Sequence, residues 1–264
     1  MSAATAHDLR GLLLMGLLCA ASLALAEALR QLGRVDAEST RKLVHVFVGL
    51  IVAAFPLVFQ AFWPVAVLCA GFAALLEWGR REHRLLSVHG VARPSLGAAY
   101  YPAAVALVFF LAHERPWIYL PSILVMTISD TAAALVGRAC GRHVYRVAAG
   151  TKSLEGSAAF FVSALPCVYI PLRLTAPLTG LECALAALDT AVLAATLEAV
   201  SGDGSDNLSV PVGTCFALTM LVAAPPFAVV LGWVASMTLA WLVWAASDGS
   251  RRGRIAPAFG QGRR

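Results

Sequence analysis

The chain has 264 residues, 59% of them apolar and 13% charged, with a mean hydropathy of +0.77 and a net charge of +5. A soluble domain of that length carries about a quarter charged residues, so a water-soluble enzyme, a disordered tail and a disulfide scaffold are all excluded. The basic residues punctuate apolar runs instead of forming one patch interleaved with aromatics. That placement argues against nucleic-acid binding and fits the loops of a membrane protein.

Taken in chain order, apolar segments cover 11–32, 43–59, 61–78, 98–112, 117–136, 157–172, 179–199, 208–223 and 226–246. A span needs about 20 such residues, so the fold class read from the sequence is all-α: a polytopic membrane helix bundle of seven to nine spans. The chain shows no repeat or linker and is read as a single transmembrane domain over 1–264. The first segment contains Ala24-Leu25-Ala26, a possible signal-peptidase site, but its apolar run continues past it and is expected to be retained. Six cysteines sit mostly inside apolar runs without a CxxC pair and read as small fillers.

Lys and Arg separate cleanly between alternate loops. Sixteen fall in 33–42, 79–97, 137–156 and the C-terminal tail, against three (Arg10, Arg115 and Arg173) on the other side. By the positive-inside rule the first set is cytoplasmic. Nine spans with the N-terminus outside satisfy it.

Polar residues collect on that side. Asp130 lies in the fifth apolar segment, where an ionised carboxylate costs about 2.5–3.5 kcal/mol on insertion scales. Helical spacing places Thr127, Asp130, Thr131, Ala134 and Arg138 on one face. A divalent cation between Asp130 and a phosphate chain fits, since magnesium favours one or two carboxylates plus phosphate oxygens. A helix–helix hydrogen bond or an Asp130–Arg138 pair is the plainer alternative. Gly137 and Gly141 permit close backbone approach, while Arg138, Arg142 and Lys152 offer phosphate-pairing charge. Lys152-Ser153, followed by Gly156-Ser157 at the mouth of the next helix, has the composition of an anion cradle. A basic loop without a ligand has the same composition.

Two further clusters share the side. Arg41-Lys42 opens the second segment, with Lys42, His45 and Gly49 on one helical face; a histidine there also suits a helix interface. Glu198 closes the seventh segment, and Asp203, Asp206 and Asn207 follow, a carboxylate-rich loop suited to a metal. Glu182, Asp189 and Thr196 recur every seven residues on the opposite face from Glu198. Glu198, at the cytoplasmic end, is the one expected to serve the site.

These pieces, in this order, resemble the membrane family of CTP-dependent lipid kinases: dolichol kinase, phytol and farnesol kinase, and CTP-dependent diacylglycerol kinase. The matching residues are Arg41-Lys42 with His45; Asp130-Thr131 followed by Gly137-Arg138 and Gly141-Arg142; Lys152-Ser153-Leu154-Glu155-Gly156-Ser157; and Glu198 followed by Asp206-Asn207-Leu208 and Pro211. The Lys-Ser-x-Glu-Gly-Ser piece is the most specific, and Ser129 stands where phytol-kinase-like members often carry Gly. The motif core runs over about 41–211.

The resemblance implies a kinase that uses CTP and Mg2+ to phosphorylate a lipid or isoprenoid alcohol at the cytoplasmic face of the bacterial inner membrane. It implies Asp130, Lys152 and His45 as catalytic residues. Gly137, Arg138, Gly141, Arg142, Lys152, Ser153, Gly156 and Ser157 would bind nucleotide, and Asp130, Glu198 and Asp206 the metal. Arg41, Lys42, Glu155 and Asn207 would support them. The alternative is cytidylyl transfer of the CTP:phosphatidate type, although that enzyme's lysine-rich pieces are absent. A proton-coupled anion transporter is a more remote alternative, because no repeat across halves is visible.

Overall fold

The computed structural model describes residues 2–33, 35–89, 97–147, 150–223 and Thr238. The elements run α1 (Ala3–Gln31), α2 (Ala37–Ala53), α3 (Phe55–Val58), α4 (Phe62–Arg81), α5 (Leu86–His89), α6 (Gly97–Ala112) and α7 (Pro116–Leu124). A π turn (Val125–Ser129) joins α7 to α8 (Asp130–Cys140); then come β1 (Val144–Val147), β2 (Gly150–Ser153), α9 (Leu154–Thr175), α10 (Gly180–Val200) and α11 (Asp206–Ala223). Among the described residues, six helical stretches are long and apolar enough to cross a membrane, and α6 and α11 are shorter apolar helices. The chain is an all-α membrane bundle, and the first eight predicted segments each coincide with one of these stretches. The ninth, 226–246 apart from Thr238, and the basic tail lie outside the described residues, as do Arg34 and Arg93.

Burial grades from the rim to the centre. Only 22% of the apolar window of α1 is buried, against 50% for α10, because α1 flanks the bundle while α10 packs between α9 and α11. The core is built from Phe109, Ile118, Tyr119, Ile123, Phe160, Leu172 and Leu218, all fully enclosed. One polar group of this core has a clear partner: the Tyr119 hydroxyl donates to the Val52 carbonyl at 2.8 Å, which favours a phenol buried in an apolar medium.

The described parts of the Lys- and Arg-rich loops 33–42, 79–97 and 137–156 meet at one end. The α5 segment is tied to that end through the Ser87 amide, which donates to Glu27 Oε2 at 2.9 Å, and by the Thr40 hydroxyl reaching the Ser87 carbonyl. One feature was not legible: β1 and β2 pair as a two-stranded antiparallel hairpin, with Tyr145 opposite Lys152 and Arg146 opposite Thr151. Strands of four residues are too short to show alternation against a basic background.

Candidate active site

At the loop-bearing end, α2, α8, the hairpin, the start of α9 and the α10–α11 loop enclose a cavity of about 820 Å³. Asp36 opens α2 as its N-cap, accepting from the amides of Glu38 and Ser39 at 3.0 and 3.1 Å and from the Ser39 hydroxyl at 2.6 Å. The Ser39 hydroxyl, helped by Arg138, lowers the Asp36 carboxyl to about 2. Arg138 lies 3.6 Å from Asp36, not on Asp130, so the Asp130–Arg138 pairing considered from the sequence is not the one formed. Sequence reasoning missed Asp36, although an Asp preceding Ala-Glu-Ser and an apolar run is a capping signal.

One turn on, the buried Lys42 donates to Asp130 Oδ2 at 2.5 Å and to the Asp130 carbonyl at 3.4 Å. Neighbouring Arg41 turns to Glu38, within its own helix, at 2.6 Å. His45 stands below the cavity floor with Nε2 3.0 Å from the Met126 carbonyl and 3.7 Å from Asp130 Oδ2.

Across the cavity the hairpin delivers the second lysine. Lys152 donates to Glu198 Oε1 at 2.7 Å and to the Glu198 carbonyl, and stands 4.0 Å from Asp206 Oδ2. Glu198 is thus turned to the cavity from the end of α10, while Asp189, on the opposite face, is buried in the bundle. The Tyr145 hydroxyl meets Ser157 Oγ at 2.7 Å. Burial, with the Glu198 charge adding to it, pushes the Tyr145 phenol up to about 12 against the lowering effect of its Ser157 hydrogen bond.

Several expected phosphate ligands are already employed. Ser153 caps α9, its hydroxyl accepting from the Gly156 amide at 3.1 Å. The glycines serve helix contact: a Cβ on Gly156 would sit 3.0 Å from the Ala133 carbonyl, and one on Gly137 would sit 3.2 Å from Ser153 Oγ. Only bare backbone lets α8 and α9 cross this closely. Glu155 accepts from the His143 amide at 3.2 Å and pairs with His143 Nδ1 at 2.6 Å, bracing the turn into the hairpin from outside the cavity. Arg142 is exposed and also lies off the cavity lining. Gly137, Arg138, Gly141, Lys152, Ser153, Gly156, Ser157, Asp206 and Asn207 all line it.

Among the described residues no three of His, Cys, Asp and Glu are grouped closely enough to hold a metal ion by themselves. Asp130, Glu198 and Asp206 nonetheless line one cavity. Such a hard-oxygen set fits magnesium, which needs one or two protein carboxylates when phosphate oxygens complete its shell. Among the described residues, the four cations of the lining are each matched to an acid: Arg41 to Glu38, Lys42 to Asp130, Arg138 to Asp36 and Lys152 to Glu198.

The chain is 32% identical to a phytol kinase from Synechocystis sp. over 191 residues, which cover 72% of this chain and 82% of that one. No protein-family model and no solved structure matches it.

Proposed function

The chain belongs to the phytol kinase family of membrane lipid kinases, and from that premise we propose that it transfers the terminal phosphoryl group of a nucleoside triphosphate, CTP by family resemblance, to a lipid or isoprenoid alcohol. The observation that carries the reading is the cavity with two lysine–carboxylate pairs on facing walls, at the end of a bundle whose sides are apolar. The positive-inside distribution supports a cytoplasmic placement of that end, the side on which nucleotide is found.

Phosphoryl transfer demands positioning and charge neutralisation more than covalent help from the protein. Lys152 and Lys42 would exchange their carboxylate partners for phosphate oxygens, with Arg41 and Arg138 at the rim adding charge. Ser157 would orient an outer phosphate oxygen, and the capped first turn of α9 would keep it in place. The substrate hydroxyl approaches from the bilayer with its tail left in hydrocarbon. Its oxygen forms the new bond to the terminal phosphorus, the bridging bond to the nucleoside diphosphate breaks, and the hydroxyl proton leaves to solvent or a carboxylate. Asp130 and Asp206, with Glu198, would hold magnesium, which when bound supplies positive charge to the phosphate oxygens.

Purified protein incubated with Mg2+, terminally labelled CTP and, in turn, phytol, farnesol, undecaprenol and diacylglycerol tests the proposal. CDP and a labelled lipid monophosphate are expected. Pyrophosphate and a CDP-lipid formed from phosphatidate would replace the kinase reading with cytidylyl transfer.

A further inference from the structure

The segment that carries Asp130 is not a continuous α-helix. Residues Val125–Ser129 form a π turn immediately before it, and a π turn displaces a carbonyl from its usual i+4 partner and rotates everything that follows. Three contacts from α2 converge on this turn. Gly49 lies against Thr127 so closely that any Cβ would collide with its side chain. Lys42 takes both the carbonyl and the carboxylate of Asp130. Between them the His45 ring, tilted against Tyr101 at 5.3 Å, places Nε2 3.0 Å from the Met126 carbonyl.

A carbonyl only accepts, so Nε2 must carry the hydrogen. That requirement constrains the chemistry of His45: the nitrogen nearest Asp130 is a committed donor and cannot take the substrate proton. The resemblance alone would make His45 catalytic; its contacts make it a bracket for the π turn. We propose that His45 is a positioning residue, whose Nε2–H holds the Met126 carbonyl so that the π turn persists and Asp130 faces Lys42 in the cavity. The significance of Asp130 rests on the kinase reading, but the bracket is a statement about the fold.

Two side chains separate a donor from a base. Glutamine places its amide N–H near the position of histidine Nε2, whereas asparagine places it near Nδ1 and falls short. His45→Gln is expected to keep phosphoryl transfer within about threefold of the parent, since the hydrogen bond survives. His45→Asn and His45→Ala strand the carbonyl and should lose about tenfold to hundredfold in turnover, the scale of an unpaired buried acceptor. The independent readout is the 15N spectrum of histidine-labelled protein in lipid nanodiscs, with the His45 signals identified by their loss in His45→Gln. A proton on Nε2 is expected. A Gln variant as impaired as the Ala variant, or a bare Nε2, would overturn the proposal. If the parent protein transfers phosphate to no alcohol, the kinase reading fails, while the spectrum still decides the role of His45.

Discussion

The two walls of the cavity use the same chemical unit, a lysine bound to a carboxylate, on unlike scaffolds. On one wall Lys42 and Asp130 come from two membrane-crossing stretches and meet across 88 positions of sequence, fixed by Gly49, His45 and the π turn. On the other, Lys152 rides a hairpin of four-residue strands and reaches Glu198 at the last turn of α10. A two-stranded hairpin has little stability of its own, so the second wall depends on side-chain ties: Tyr145 to Ser157, Ser153 to the α9 amide and Glu155 to His143. The contrast is between a wall held by helix packing and a wall held by side-chain ties.

The largest effect is expected on the fixed wall. Asp130→Asn preserves size but removes the charge that offsets Lys42 and that would hold the metal. Transfer to the lipid alcohol should fall by about a thousandfold, comparable to losing a charge-neutralising group in other phosphoryl transferases. The change eases insertion but leaves buried Lys42 without its carboxylate partner, so its level in the membrane should be at or below the parent's, and turnover is compared per molecule of protein. Turnover and quantitative immunoblotting measure both, and a fully active variant would end the role given to Asp130.

On the hairpin wall the effect should be smaller and should fall on nucleotide affinity. Lys152→Ala removes a charge-assisted phosphate contact worth roughly 1.5–3 kcal/mol, about tenfold to hundredfold in binding. It also strands Glu198, whose side chain is only 8% exposed, and an uncompensated buried charge is destabilising. Adding Glu198→Gln to Lys152→Ala should therefore restore thermal stability without restoring affinity. If the double variant recovers neither, the pair is not the source of the stability loss. If nucleotide dependence is unchanged in both, Lys152 does not touch phosphate.

How far each wall could be read from sequence depends on the contacts that build it. Apolar length is a strong, local signal, and it located eight helical segments; Asp130 stood out because charge inside an apolar span is costly, and Lys42, Lys152 and Glu198 because they lie at the loop-bearing ends of their segments. What joins them was hidden. The π turn leaves no compositional mark, and the hairpin is too short for a period-two pattern. Ser153 reads equally well as a cap or a phosphate ligand until its Gly156 contact is seen. Glycines 137 and 156 looked like phosphate-loop residues, yet their neighbours are each other's helices.

The cap offers the third test. Ser153→Ala should lower stability by about 1 kcal/mol, a typical value for loss of an N-cap, with a modest change in nucleotide KM. Ser153→Asp, which caps as well but brings negative charge, should regain the stability and weaken nucleotide binding. A large KM increase in Ser153→Ala at unchanged melting temperature would move the hydroxyl from the helix to the phosphate.

The smallest effect belongs to Tyr145, and it reports whether the hairpin is clamped in solution. Tyr145→Phe removes one hydrogen bond, to Ser157, and should cost about 0.5–1.5 kcal/mol, with turnover little changed. The phenol itself gives a more direct signal. In the folded protein it is held up to about 12, chiefly by burial, whereas an unfolded tyrosine ionises near pH 10. The protonated form is therefore favoured by folding: the contribution is complete below about pH 10 and is lost as pH rises through about 12. Subtracting the alkaline absorbance titration of Tyr145→Phe from that of the parent isolates this residue, and the difference should show a phenolate appearing well above pH 10. A difference curve centred at pH 10 would mean that Tyr145 is in water and the hairpin lifted from α9. The second wall would then be open before nucleotide arrives, and Lys152 would reach Glu198 only when the hairpin closes.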